Sequence, residues 1–438
     1  MADSEDLLKR WDADRSKYPE LQRPQSAYNP MDSYILPRGE QKHYMQQFGD
    51  MYFLRLAKLK PVVEAGAEEA WSDFEIGGEQ AKRVDRVLDV RQGQLCWVAG
   101  TIYMELPLKP SILEDISREH WIARPPPRKT YYSADNDPHV MLEDESGRLR
   151  LTGTMLQTVL LVTGVIAAVL GTENADGEFE VLDLHVADLP RQPQRWERDE
   201  SGEEGVSSKM ELDRPTESRK IALVSGLSIS GTEADSMNLA LLSEYLIGEA
   251  LGPGDQTSAT SICRLIIAGN SISSDITTAP DASGIGPKKA TQKKYGYDSS
   301  SYNPTPTARL DEYLSEILPS LPITIMPGEH DPANVSLPQQ PTHPAMFPHS
   351  RAYAAQHTQN AEDMEPGWFD SVTNPWEGDV EGWRLMGNSG QPIDDILKYI
   401  NLGADDGHLE VMENILRWRC GAPTAPDTLC EPFHASSI

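Results

Sequence analysis

PITIMPGEHD, residues 322–331, is the stretch from which the fold can be read. Ile323 to Met326 is apolar but for Thr324, as a strand buried on both faces requires. Pro327 and Gly328 end that strand, so Glu329, His330 and Asp331 fall at its carboxyl end. Two upstream segments share the form. IALVSGLSISG (221–231) and SICRLIIAGNSIS (261–273) each run from an apolar strand into glycine and small polar residues. Between the strands lie EADSMNLALLSEYLIGEALG (233–252), a helical pattern closed by glycine, and ARLDEYLSEIL (308–318), a second one. Strand–helix–strand–helix–strand predicts a parallel sheet with right-handed crossovers. Sheets of this kind gather their chemistry at the carboxyl ends of the strands.

Working toward the N-terminus, the pattern turns to alternating β. LCWVAGTIYMEL (95–106), HVMLED (139–144), RLRLTG (148–153), LLVTGVIAAVLG (160–171) and FEVLDLHVADL (179–189) predict five strands. Glu145-Ser146-Gly147 and Asn174 to Gly177 supply hairpin turns. Five short strands point to a small closed barrel of the OB type, with a β-sandwich as the alternative. Tyr44 to Lys60 carries a helical apolar face ending at Pro61, and Val62 to Trp71 reads as a second helix. The division predicted is an N-terminal arm (1–43), a barrel domain with preceding helices (44–190), an acidic linker (191–218) and an α/β domain (219–438) with a flexible insertion at 276–306.

The 438 residues carry a formal net charge of −29, so most of the surface repels phosphate. If this chain works on DNA, a basic partner holds the DNA. The four cysteines lack the close CxxC spacing of zinc sites and suit a reducing compartment. Met1 to Tyr18 is charged throughout and unlike a signal peptide, and the longest apolar run, Val159 to Leu170, is too short to cross a bilayer. The expectation is an intracellular, non-membrane protein. No P-loop and no GxGxxG nucleotide loop is present.

The buried strand followed by Gly-Glu-His-Asp resembles the GNHD/GNHE signature of calcineurin-like metallophosphoesterases. Their other two signatures follow the first and second strands. On that alignment the first-motif Asp and His fall on Gly226 and Ser228. The metal-bridging Asp falls on Asn270 and a later polar residue on Ser273. The metal-binding Asn falls on Glu329, whereas His330 and Asp331 match. Two divalent cations about 3.5–4 Å apart need anionic bridging oxygen and imidazole to hold them. Glu329 is the single carboxylate on a ligand position. The resemblance therefore implies no catalytic, cofactor-binding or metal-binding residue, with His330 structural rather than a lone general acid.

A longer resemblance sharpens this. PGEHDPANVSLPQQPTHPAMFP (327–348) is similar to the regulatory B-type chains of replicative DNA polymerases, in particular the second, small regulatory subunit family of DNA polymerase delta. SAYNPMDSYILP (26–37), QFGDMYFLRLAKLKP (47–61), TGVIAAVLGTENADGEFEVLDLHVADLPRQPQ (163–194), SVTNPWEGDVEGWRLMGNSGQPIDDI (371–396) and LRWRCGAPTAPDTL (416–429) extend it over most of the chain. The family implies an α+β, α/β architecture: an OB-fold barrel packed on an inactive calcineurin-like phosphodiesterase domain with mixed sheets. It implies a nuclear, non-catalytic scaffold for DNA replication and repair synthesis. The partners implied are the C-terminal metal-binding domain of the catalytic subunit and a third, accessory subunit, with DNA reached through the holoenzyme and no cofactor. Two departures stand out. Cys420 occupies a usual His position, and the chain ends at CEPFHASSI (430–438) where the family continues, which predicts a truncated C-terminal end.

Two other functions compete: a residual metal-dependent phosphoesterase, and an OB-fold that binds single-stranded DNA alone. Trp97 and Tyr103 are the aromatics that could stack bases, although Glu143, Asp144 and Glu145 crowd the hairpin. The basic run 287–294 is a solvated loop or a nuclear address. Trp368, Phe369, Trp376 and Trp383 are read as core residues, with a partner anchor as the alternative.

Overall fold

The computed structural model describes residues 21–37, 48–109, 128–133, 138–191, 219–230, 236–249, 252–273, 303–334, 336–355, 367–401 and 407–429. In chain order they form β1 (Tyr28–Pro30), α1 (Phe48–Trp71), the short strands β2 (Glu75–Ile76), β3 (Glu79–Gln80) and β4 (Lys82–Arg83), then β5 (Cys96–Glu105), β6 (His139–Glu143), β7 (Arg148–Thr152), β8 (Ile166–Glu173) and β9 (Glu178–Val186). There follow β10 (Lys220–Val224), α2 (Ser236–Ile247), α3 (Pro253–Thr260), β11 (Ile262–Ala268), α4 (Thr305–Ile317) and β12 (Ile323–Met326). The last are β13 (Phe369–Ser371), β14 (Trp376–Val380), β15 (Trp383–Gly387), α5 (Gln391–Tyr399) and α6 (Gly407–Trp418). The basic run 287–294, the chain end at 430–438, and most of the predicted arm, linker and insertion lie outside the described residues.

Two compact units emerge, one of residues 37–205 with 390–434, the other of 1–36, 206–389 and 435–438. In the first, the strands run in the order β5, β6, β7, β9, β8, and β8 pairs back onto β5, closing a five-stranded barrel. β7 and β9 are parallel and the other barrel pairs antiparallel, which is the strand order of an OB-fold. The β6–β7 hairpin is locked by Asp144, whose carboxylate accepts the N–H groups of Ser146, Gly147 and Val87 at 2.7, 3.1 and 2.8 Å. Burial alone would raise that carboxyl, but these bonds and the Ser146 hydroxyl hold it below its ordinary value. The barrel core holds Val98, Ile102, Leu142, Val169 and Phe179, all fully enclosed. Each such aliphatic side chain contributes about 1.5–3 kcal/mol by burial. β8 is shorter than its apolar run predicts: Leu161, Val162 and Val165 precede the strand, buried but outside it.

The predicted break at Pro61 is corrected: α1 runs unbroken from Phe48 to Trp71 with Pro61 inside. Leu56, Val63, Ala67 and Trp71 share one face and bury it against Leu95, Trp97, Ile166 and Leu170. That contact outweighs the roughly 3 kcal/mol that an interior proline costs a helix. A second difference concerns the chain's last third. The sequence places all of 219–438 in one domain, whereas residues 390–434 fall in the barrel unit. Ile396 and Tyr399 of α5 and Val411 and Trp418 of α6 join the barrel's own core. Arg55 of α1 reinforces this, donating to the carbonyls of Ala422, Pro423 and Ala425 at 3.2, 2.6 and 2.6 Å.

In the other unit β10, β11, β12 and β13 form a parallel sheet in that order. Leu265, Ile267, Ile323 and Ile325 face Leu310, Leu314 and Ile317 of α4. Ile266 and Met326 face a smaller antiparallel sheet, β1–β14–β15, through Tyr28, Trp376 and Val380. Residues 21–36 of the predicted arm belong to this unit. Arg23 donates to the carbonyls of Leu246, Ala259 and Ile262 at 2.6, 3.1 and 2.6 Å.

Candidate functional site

The carboxyl ends of β10, β11 and β12 do converge. Gly226 N–H donates to the Gly269 carbonyl at 3.0 Å, Ser228 N–H to that of Asn270 at 3.2 Å, and Ile229 N–H to that of Ser271 at 2.9 Å. Ser273 N–H returns to the Ile229 carbonyl at 3.1 Å. The parallel pairing thus continues past the strands into the loops. Ser228 (φ 50°) and Asn270 (φ 53°) are left-handed, a conformation that costs a side chain about 1 kcal/mol. The loops also touch backbone to backbone. A Cβ on Gly328 would lie 2.3 Å from the Asn270 nitrogen, and one on Gly269 would lie 2.8 Å from the Gly328 Cα. Glycine is required at both places for this approach.

Asp331 stitches the two loops together. One carboxylate oxygen accepts Ile272 N–H at 2.9 Å and the other Gly328 N–H at 2.8 Å. Burial pushes this carboxyl above the usual range, against the backbone N–H groups of Gly328, Ile272, Ser271 and Asn270, which pull it down. The Asn270 side-chain oxygen accepts His330 N–H at 3.3 Å. The Glu329 and His330 side chains are exposed. So of the residues singled out in the sequence, Gly226, Ser228, Asn270, Ser273 and Asp331 meet through backbone bonds, while Glu329 and His330 point to solvent. Gly226 offers no side-chain ligand atom, Ser228 and Ser273 only hydroxyls. Among the described residues no group of three or more His, Cys, Asp and Glu side chains has metal-holding geometry.

Sequence reasoning missed the polar residues beneath these loops. Gln339, 2 % exposed, donates to the Gly328 and Asn334 carbonyls at 3.1 and 2.9 Å. Its oxygen accepts from the Asn374 amide at 2.8 Å, and that amide also donates to the Ser389 hydroxyl at 2.5 Å. Ser389 N–H returns to the Asn374 oxygen at 3.2 Å. Gln339 and Asn374 exchange backbone bonds as well, at 2.7 and 3.0 Å. Within the same unit, Arg264 is a buried cation lying 3.6 Å from the Tyr28 ring centre and donating to the Thr324 hydroxyl at 2.7 Å. The Tyr28 hydroxyl is bonded to Asp370. The only local signal for this cluster was one charged residue inside the apolar run SICRLIIAG.

The barrel aromatics lie differently from a base-stacking platform. Trp97 is buried beneath α1, with its ring 5.9 Å from that of Trp71. Tyr103 is half-buried, between Lys109 and Arg148 at 4.5 and 4.6 Å from its ring centre. Of the late aromatics, Phe369 and Trp376 are core residues, whereas Trp383 is 57 % exposed.

Comparison with known proteins adds the following. Residues 47–184 match the family described as the DNA polymerase delta subunit OB-fold domain. Residues 221–436 match the B-type regulatory subunit family of DNA polymerases alpha and epsilon, a span that runs across the boundary between the two compact units. The chain is 32 % identical to the DNA polymerase delta small subunit of Oryza sativa subsp. japonica, over 94 % of this chain and 83 % of that protein. It is 31 % identical to that of Saccharomyces cerevisiae, over 98 % and 86 %. With DNA polymerase delta subunit 2 of Drosophila melanogaster the identity is 32 %, over 94 % and 83 %.

Proposed function

Because this chain belongs to the DNA polymerase delta small-subunit family, we propose that it serves the polymerase complex as a non-catalytic scaffold, joining the catalytic subunit to a third, accessory subunit in the nucleus. Family membership makes it a subunit of that complex, and the strand-end geometry supports the non-catalytic part. One observation carries it: both oxygens of Asp331 are committed to backbone N–H groups, at 2.9 and 2.8 Å. A two-metal phosphoesterase needs anionic oxygens aimed into an open pocket, where they hold cations and generate hydroxide. Here the one buried carboxylate of the motif is used to fasten loops. The neighbouring ligand positions are Gly226, Ser228 and Asn270, which cannot balance two divalent charges. The phosphodiesterase fold is then a rigid body that presents surface, and its contribution is geometry rather than a chemical step.

The test is reconstitution by coexpression with the catalytic and third subunits of the same organism. A tagged copy should retain both, and omitting it should leave them separate. If the other two subunits assemble without it, the bridging role is wrong. Manganese-dependent phosphodiester hydrolysis by the purified chain, lost in His330→Ala, would overturn the non-catalytic reading.

A further inference from the structure

The helix α6 is apolar on two faces. Val411, Ile415 and Trp418 turn inward onto the barrel core. Leu409, Met412 and Leu416 recur at i, i+3 and i+7 on the other side and are 68, 49 and 61 % exposed. A surface helix ordinarily carries polar residues there, and one that is apolar all round belongs in an interior. The rim of this ridge is acidic. Glu410 and Glu413 stand on the helix itself. Arg417 bridges Glu413 and Asp188 at 2.8 and 2.7 Å, and Arg419 donates to the Asp188 carbonyl at 2.6 Å. Beside Asp188, Leu189 is 51 % exposed and adjoins the ridge. Three carboxylates against Arg417 leave the rim negative, on a chain whose net charge is −29.

We propose that this ridge is a docking surface for an amphipathic helix of another polymerase subunit, with an apolar stripe flanked by Lys and Arg. The inference rests on the subunit role above and names the chemistry of one contact in it. Leu409, Met412 and Leu416 supply the apolar area, and Glu410, Glu413 and Asp188 select for basic flanks. The same charges argue against other occupants. A second copy of this chain would set its own acidic rim against this one, and a nucleic-acid backbone or an anionic membrane would be repelled.

The experiment uses the full chain coexpressed with the catalytic and accessory subunits. A photo-cross-linking amino acid replaces Met412, and a second preparation carries Leu409→Asp with Leu416→Asp. The expected result is a cross-link from position 412 to a Lys/Arg-flanked helix of another subunit. The double variant should bind that subunit at least about tenfold more weakly, as loss of two apolar anchors implies. Its melting should match the wild type, because the replaced side chains are exposed. The Leu409→Ser, Leu416→Ser pair should weaken binding in the same direction. An intact complex in which position 412 labels only this chain, or a second copy of it, overturns the inference and leaves the subunit role standing. Undiminished binding by both variants does the same. A wild-type chain that retains no polymerase subunit overturns both.

Discussion

The amide pair Gln339–Asn374 gives the most quantitative test of how the strand-end loops are held. Replacing Gln339 by Leu keeps the volume and removes three side-chain bonds: to the Gly328 carbonyl (3.1 Å), to the Asn334 carbonyl (2.9 Å) and from the Asn374 amide (2.8 Å). At about 1 kcal/mol net for each neutral bond, the direct loss is about 3 kcal/mol, and the stranded Asn374 amide adds about 1 kcal/mol or more. Asn374→Leu loses its bonds to Gln339 and Ser389 and strands the Gln339 oxygen at a site 2 % exposed, for a similar total. In the double variant neither partner is stranded, so the cost falls below the sum by about 1–3 kcal/mol. The assay is a double-mutant cycle by urea denaturation. Hydrogen exchange at β12 would assign the transition to this unit, because a chain of two units need not melt in one step. Costs that add to within about 0.5 kcal/mol would refute the network and reduce the pair to independent packing residues.

Gly328→Ala should destabilise this unit by about 2 kcal/mol or more, since its Cβ would meet the Asn270 backbone at 2.3 Å; an unchanged denaturation midpoint would contradict the loop contact. Pro61→Ala should raise the barrel unit's stability by about 1 kcal/mol, by restoring a helical N–H bond within α1; a lower melting temperature would mean that the ring itself is a packing contact. Asp331 titrates above its usual 3.8 in the folded protein because burial opposes its charge. The native state therefore holds this proton after the unfolded chain has released it, so the stability linked to Asp331 is present below about pH 4 and lost as pH rises through the folded value. Melting measured from pH 4 to 7 should show wild type losing ground to Asp331→Asn as pH increases, and parallel curves would show that the group titrates normally.

Much of the chain's local architecture is legible without coordinates because strands and helices announce themselves over a few residues. Alternation at 95–106, 139–144 and 148–153 gave three barrel strands, and the apolar runs 221–226, 261–269 and 322–326 gave three strands of the parallel sheet. The meeting of Gly226, Ser228, Asn270 and Asp331 followed from the rule that strand ends converge, and the motif spacing named the residues in advance. Tertiary structure alone decided three other matters. Pro61 sits inside a continuous helix because the barrel face beneath it stabilises more than the missing bond costs. Residues 390–434 join the barrel through Ile396, Tyr399, Val411 and Trp418, although more than two hundred positions of chain separate them from β8. Gln339 finds Asn374, and Tyr28 finds Arg264, across separations that no local pattern encodes. The physical reason is common to all three: periodicity reports which face a residue presents, whereas the partner on that face is chosen by burial and hydrogen bonding among segments distant in sequence.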